Sequence, residues 1–365
     1  MPAVSEHDEE APLRIAVIRT SEVPEGCGTA STASALAVAG HRVLVLTDRP
    51  GDHDPVGPVT GPGELEVRPL PAAGAGFGDD PPDLVHAVGP AAVRWAAGTG
   101  APVVASYPTG GPDPVGPPAG AVAVLADSEH RHAALLAAGV PRSQLRTVPA
   151  CVDTDVYTAA GPALRRGEHP RLVLVGSLAP CAGAGTAIRA LARVRDAELL
   201  VAGGAAGDDP DRDRLFAIAR EAGVTGRVRF LGPVGDALRP RLLRSADVVL
   251  DVPGRDVPVT PVLQAMACAR PVVGSSVGGS ADAVVDRVTG LLVRPGRPAD
   301  VAAAVRDLLA DEAMRAGYGI AGRDRAVSRF DRARIAVALT ALYGGLVGVP
   351  PETETETETE LELLG

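Results

Sequence analysis

Short apolar runs ending in glycine or proline, separated by stretches with helical spacing, recur along most of this chain. In the second half they read "RLVLVGS", "AELLVAGG", "RVRFLG", "DVVLDVP", "RPVVGSS" and "GLLVRPG". Between them lie the helical patterns "AIRALARV", "DRDRLFAIAREAGV", "ALRPRLLRSA", "VTPVLQAMACA" and "PADVAAAVRDLLAD", with a short helix expected near Ala281–Val288. The first half opens with "LRIAVIRT", a loop "SEVPEGCG", a helix through "TASTASALAVAG" and a strand "HRVLVLTD", a unit whose strands should pair in parallel with a right-handed crossover. Further strands are expected at "LEVRPLP", "PDLVHAVG", "APVVASYP", "AVAVLADS" and "LRTVPACVD", with helices around Trp95 and through "EHRHAALLAAGV". Strands alternating with helices in two series predict two doubly wound α/β domains, with a ligand crevice between them at the carboxyl ends of the strands.

The break between the series falls in a polar, Pro- and Gly-bearing linker. The expected division is therefore a first domain over 13–158, a linker over 159–169, a second domain over 170–330 and a final amphipathic helix over 331–346 that packs back on the body. Residues 1–12 and the acidic tail 347–365, which contains "PPETETETETELELLG", are expected to be disordered, because the tail is polar on both faces and like-charged.

Composition narrows the function. A net charge of −10 argues against nucleic acid as a general partner. No apolar run reaches the roughly 18 residues that a membrane span requires, and the acidic N-terminus "MPAVSEHDEEAPLRIAV" is unlike a signal peptide. The cysteines Cys27, Cys151, Cys181 and Cys268 are scattered, so neither structural zinc nor a disulfide framework is expected, and a cytoplasmic location is. The chain holds no lysine, so all 35 of its Lys and Arg residues are arginine. With aromatics at only 2%, the core must be built from Ala, Val and Leu.

Between the strand "RLVLV" and its following helix lies "GSLAPCAGAGT", Gly176–Thr186. A glycine-rich turn in this position commonly cradles phosphate with its backbone N–H groups. Here it carries no cation.

The stretches "GVPRSQLRTVPACVDTDVY", "VRFLGPV", "SADVVLDVP", "LQAMACARPVVGSSVGG" and "ADAVVDRVTGLLVRPGRPADVAAAV" together resemble glycosyltransferase family 4, retaining enzymes of the GT-B fold. The first half is similar more loosely through "GHRVLVLTD", "PDLVHAVGP" and "PVVASYP", so the likeness spans roughly residues 13 to 346. It implies two Rossmann-like domains facing across a cleft, with a C-terminal helix crossing back. It further implies transfer of a hexose from a UDP- or GDP-sugar with retention, the nucleotide-sugar being a co-substrate, and no metal or other cofactor.

Breaking the anomeric bond leaves charge on the departing diphosphate, which preorganised donors and cations must stabilise. The resemblance implies four devices for this, and the chain departs from each. Where the family places an arginine and a lysine in the turn, this sequence has Ser177 and Ala182. The family's Glu-x7-Glu pair becomes Asp256 and Gln264, holding sugar and ribose respectively, and Pro258 replaces a backbone N–H donor. The expected histidine falls on Tyr107–Pro108. The loop glycines Gly26, Gly28, Gly176, Gly278 and Gly279 remain, allowing close approach to the diphosphate.

Arg255 and Arg294 are the candidate replacement cations, since guanidinium grips phosphate bidentately. Asp256 can equally be a cap for the helix that follows it. His86 reads as a structural strand-end histidine or a catalytic one. His130 and His132 face different directions on one helix, Cys27 lies in the first glycine loop, and Arg227 and Arg229 read as a solvated strand face. A second function remains open: a catalytically inactive relative that binds a nucleotide, a glycan or an active glycosyltransferase partner.

Overall fold

The computed structural model describes residues 12–23, 29–48, 62–72, 76–78, 80–109, 116–205 and 207–347. The sequence expectations for residues 1–11 and 348–365, and those for Gly26, Cys27 and Gly28, lie outside the described residues.

The first series folds as β1 (Arg14–Arg19), α1 (Thr29–Val38), β2 (Arg42–Thr47), β3 (Glu64–Pro69), β4 (Leu84–Val88), α2 (Pro90–Ala96), β5 (Val103–Tyr107), β6 (Ala121–Ala126), α3 (Glu129–Ala137) and β7 (Leu145–Thr147). Its strands form one 7-stranded sheet in the order β3-β2-β1-β4-β5-β6-β7, every pair parallel. The second series folds as β8 (Arg171–Val175), α4 (Ala184–Leu191), β9 (Glu198–Ala202), α5 (Pro210–Glu221), β10 (Val228–Gly232), α6 (Arg239–Arg244), β11 (Val248–Asp251), α7 (Thr260–Ala267), β12 (Val272–Ser275), α8 (Gly278–Ala283), β13 (Gly290–Val293), α9 (Pro298–Ala310) and α10 (Glu312–Phe330). It gives a 6-stranded parallel sheet in the order β10-β9-β8-β11-β12-β13. The chain then enters α11 (Arg332–Gly344).

Both orders reverse direction once, between β1 and β4 and between β8 and β11. In open parallel sheets that reversal opens a crevice at the carboxyl ends of the strands. Each sheet is covered on both faces, and the hydrophobic side chains buried against them are mostly Ala, Val, Leu and Ile.

Helix α11 returns to the first domain. Ile335, Leu339 and Tyr343 are buried in that domain's core with Ile15, Leu36 and Leu84, and His41 Nε2 meets Thr340 Oγ1 at 2.7 Å. The crossing is held where Val152 N donates to the Phe330 carbonyl (2.8 Å) and Arg332 N donates to the Val152 carbonyl (3.0 Å), beside the Arg332–Asp153 ion pair at 2.8 Å.

Three details correct the sequence reading. The 19-residue α10 was absent from it, because "EAMRAGYGIAG" is glycine-rich and glycine is a poor helix former. Packing overrides that propensity: a Cβ on Gly319 would lie 2.3 Å from the Ala269 carbonyl oxygen, so glycine is what lets α10 lie against the end of α7. The short helix expected near Ala281–Val288 begins earlier, at Gly278. Arg227 is no solvated strand residue, since its guanidinium donates to the carbonyls of Leu191, Val194 and Ala197 and closes the end of α4.

Candidate donor site

The β8–α4 connection takes the shape its sequence requires. Gly176 has φ +145, a single 3-10 turn covers Pro180–Ala182, and Gly183 has φ +95 immediately before α4. Ser177 Oγ accepts from Ala179 N at 3.1 Å and so holds the turn locally. Because β8 and β11 are neighbours, the loop after β11 meets this turn: Gly254 N donates to the Cys181 carbonyl at 2.9 Å. Arg255, the next residue, is exposed. Arg294 is already engaged, with Nε and Nη2 donating to the Asp300 carboxylate at 2.8 and 3.3 Å.

The turn does have a guanidinium beside it, and it comes from α5. Arg214 Nη2 donates to the Leu178 carbonyl at 2.6 Å, and its Nε donates to Asp211 Oδ1 at 3.1 Å. Arg214 and Leu178 are 36 residues apart, and nothing in "DRDRLFAIARE" distinguishes this arginine from its neighbours.

Asp256 does not cap the helix that follows it, since α7 begins with no side-chain cap. Its Oδ1 accepts from Gly279 N at 3.2 Å, at the start of α8. A Cβ on Gly278 would sit 1.5 Å from that same oxygen, so the glycine is the floor on which the carboxylate rests. Burial pushes the Asp256 carboxyl above its ordinary range, against the Gly279 hydrogen bond and the nearby positive charge of His130 and Arg131, which favour ionisation.

His130 and Arg131 belong to α3 of the first domain, so Asp256 faces across the cleft. The two domains also touch there, the α3 backbone N–H of Glu129 donating to Asp282 Oδ2 at 2.7 Å. Arg131 is buried, with Nε on the Tyr107 carbonyl at 2.9 Å. His132 turns away to Thr147 (2.8 Å), so the two histidines do face different directions.

Gln264 is 6% exposed on α7, and its Oε1 has no partner. A hydroxyl group, able to donate and accept, would satisfy it. Ser275 Oγ at the end of β12 is likewise buried and unpartnered. Asp251, at the end of β11, was not singled out in the sequence. Burial raises its carboxyl to about 6, opposed by the hydrogen bond from Ser280 Oγ. Among the described residues no three His, Cys, Asp or Glu side chains are placed to hold a metal ion, and no helix is long and apolar enough to cross a membrane.

Two parallel Rossmann-like sheets, each reversing at a switch point, with a returning C-terminal helix, define a GT-B protein. Residues 169–311, in its second domain, match the family model of the group 1 glycosyl transferases. Over 159 residues, 41% of this chain, it is 38% identical to the D-inositol 3-phosphate glycosyltransferase of Mycobacterium sp. (strain JLS), a match covering 36% of that relative. Over 220 residues, 56% of this chain, it is 33% identical to the enzyme of the same name from Stackebrandtia nassauensis, covering 49% of it. The chain therefore matches at most about half the length of these relatives. In fold it is similar to Anabaena Alr3699/HepE, solved in complex with UDP-glucose (TM-score 0.76, 20% identity, 92% of this chain and 100% of that one). It is also similar to the sucrose-phosphate synthase of Thermosynechococcus elongatus (TM-score 0.73, 21% identity, 91% and 98%).

Proposed function

We propose that this chain is a retaining glycosyltransferase that takes a hexose from a nucleotide-diphosphate sugar, with UDP-glucose the first donor to test. The observation that carries the proposal is the Arg214 guanidinium, 2.6 Å from the Leu178 carbonyl in the turn where the family's own cations are missing. A diphosphate leaving group needs positive countercharge fixed in place before the bond breaks. Arg214 offers it from a helix anchored in the core through Leu215 and Ile218, with Asp211 and the Leu178 carbonyl fixing its plane. Arg255 is the second source, held near the turn by Gly254.

In this reading the backbone of Gly176–Gly183 lies along the diphosphate and the Gln264 amide meets the ribose hydroxyls. The sugar hydroxyls exchange for Gly279 N–H as partners of Asp256, whose raised affinity for a proton makes a hydroxyl donor welcome. UDP bound to HepE, and the inositol phosphate acceptor in the mycobacterial relative's name, support a nucleotide-sugar reaction of this class.

The test is release of free nucleotide from UDP-glucose and GDP-sugars, alongside calorimetry with UDP and GDP. Arg214→Ala is expected to lower turnover about ten- to a hundredfold, the range of a lost charged hydrogen bond. It should also weaken UDP binding, with Arg255→Ala doing less. Wild-type turnover in both variants would remove the proposed countercharge. Tight nucleotide binding with no release from any donor would make the chain a binding protein instead.

A further inference from the structure

At the amino ends of β11 and β12, the opposite edge of the second sheet from the donor site, lies an open cavity of about 240 Å³. That exceeds the roughly 150 Å³ in which benzene is held inside a protein. Asp247 and Arg270 border it from the residues just before those strands, and Glu312 and Arg315 from the first turn of α10. The walls are fixed, because α10 lies so close to the turn after α7 that a Cβ on Gly319 would sit 2.3 Å from the Ala269 carbonyl oxygen.

Each guanidinium reaches this place by closing helix ends. Arg270 Nε donates to the Cys268 carbonyl at 3.1 Å and Nη1 to that of Ala246 at 3.4 Å, after α7 and α6. Arg315 Nη1 donates to the carbonyls of Leu308 and Leu309 in the last turn of α9, at 2.9 and 3.3 Å. These bonds use only part of each fork. Among the described residues, Arg270 Nη2 and Arg315 Nε and Nη2 have no partner, and neither side chain is paired with an acid. All three nitrogens keep access to solvent.

Charge at this edge runs against the chain's net −10. Asp247 is already engaged, its Oδ2 accepting from Arg171 N at 2.7 Å and from Arg166 Nη2. Arg166 and Arg244 both act on Arg270, so four guanidiniums stand against the two carboxylates of Asp247 and Glu312. Burial pulls the Arg270 pKa below its ordinary value, and Arg166 and Arg244 push the same way against Cys268 and Asp247. A guanidinium stays protonated regardless, so its partial burial is a cost that a bound anion would offset.

We propose that this cavity binds a phosphate monoester or free phosphate, with Arg270 Nη2 and Arg315 Nε and Nη2 as its donors. Nε and Nη2 are one whole edge of the Arg315 fork, the arrangement that grips phosphate bidentately. The site is separate from the donor site and independent of the sugar-transfer reading.

The experiment is a nitrogen-15 arginine spectrum of the full chain, with the Arg270 and Arg315 Nε–H signals assigned by their loss in Arg270→Gln and Arg315→Gln. Inorganic phosphate, glycerol 3-phosphate, glycerol and sodium chloride at matched ionic strength are titrated in turn. Both phosphates should shift both signals saturably, and glycerol and chloride should not. Tighter binding of glycerol 3-phosphate would make the ligand an organic ester, and tighter binding of inorganic phosphate the free ion. Each arginine variant should weaken the phosphates about tenfold, the worth of one charged hydrogen bond. Glu312→Gln removes an exposed carboxylate and should tighten them about two- to fivefold, a gain that damaged folding could not imitate. Signals unmoved by either phosphate would overturn the proposal. So would equal movement with chloride or glycerol, unchanged affinity in Arg315→Gln, or weaker binding in Glu312→Gln. None of these results depends on nucleotide release, so this site and the sugar-transfer reading stand or fall separately.

Discussion

Gly203→Ala is expected to destabilise the second domain by about 3–5 kcal/mol. Gly203 follows β9 with φ +137, a region where a side chain costs of order 1–3 kcal/mol. A Cβ there would lie 1.8 Å from the Gly176 carbonyl oxygen and 2.9 Å from its carbon. The obstruction is backbone, so no rotamer change relieves it, and overpacking adds a further 1–3 kcal/mol or so. The neighbourhood cannot easily yield. Gly176 N is bonded to the Ala202 carbonyl at 3.0 Å and Gly203 N to the Gly232 carbonyl at 2.8 Å, so the ends of β8, β9 and β10 are laced together there. The same lacing shapes the start of the turn that holds Ser177, so under the proposed function nucleotide affinity should fall with stability. Urea denaturation would measure the first effect and calorimetry the second. A loss under about 1 kcal/mol would mean that these strand ends are not held as described.

The second large effect is electrostatic. Asp251 takes up its proton at about 6 in the fold because it is buried, against 3.8 for an ordinary aspartate. Between those values the folded state binds more protons than the unfolded one, so the contribution is favourable below pH 3.8 and is lost as pH rises through 6. Above that it amounts to about 3 kcal/mol of buried-charge cost. Asp251→Asn keeps the shape and can still accept from Ser280 Oγ. It should be more stable than wild type by up to about 3 kcal/mol at pH 7.5 and show no gain at pH 3.5. Denaturation of both proteins across that range, followed by a probe in the second domain, reads the difference. A constant offset at all pH values would show that Asp251 ionises normally. His86 acts with the opposite sign in the first domain: its folded pKa of about 4 lies below the ordinary 6.5, so stability there is lost as pH falls through that interval.

Much of the fold was legible because hydrophobic patterning is local. Each apolar run that ends in glycine or proline is a strand, and the glycines of the β8–α4 turn have the backbone angles that only glycine takes readily. Helix α10 was not legible, because its glycines make room for a distant piece of backbone, the carbonyl of Ala269 in the turn after α7. The site divided the same way. Absent cations at Ser177 and Ala182 are a property of the sequence, as is the retained carboxylate at Asp256.

What stands beside those residues is not in the sequence. Arg294 has the right charge, but its hydrogen bonds go to Asp300 of α9 and not to the β8–α4 turn. Arg214 is one arginine among several on its helix and matters only because the β8–α4 turn passes beside it. Asp256 was equally good as a cap for α7, until packing set it on Gly278 with its hydrogen bond to Gly279.

The sequence alone determined the class of the molecule: two doubly wound parallel sheets, a glycine-rich turn without its own charge, and a returning helix. Tertiary structure decided strand neighbours, and with them the adjacency of β8 and β11 that brings Gly254 to Cys181. It also decided which buried atoms lack partners, at His86, Gln264 and Ser275. The physical reason is that hydrophobic periodicity is written within a dozen residues, whereas desolvation and unmet hydrogen bonds depend on groups brought together from across the chain.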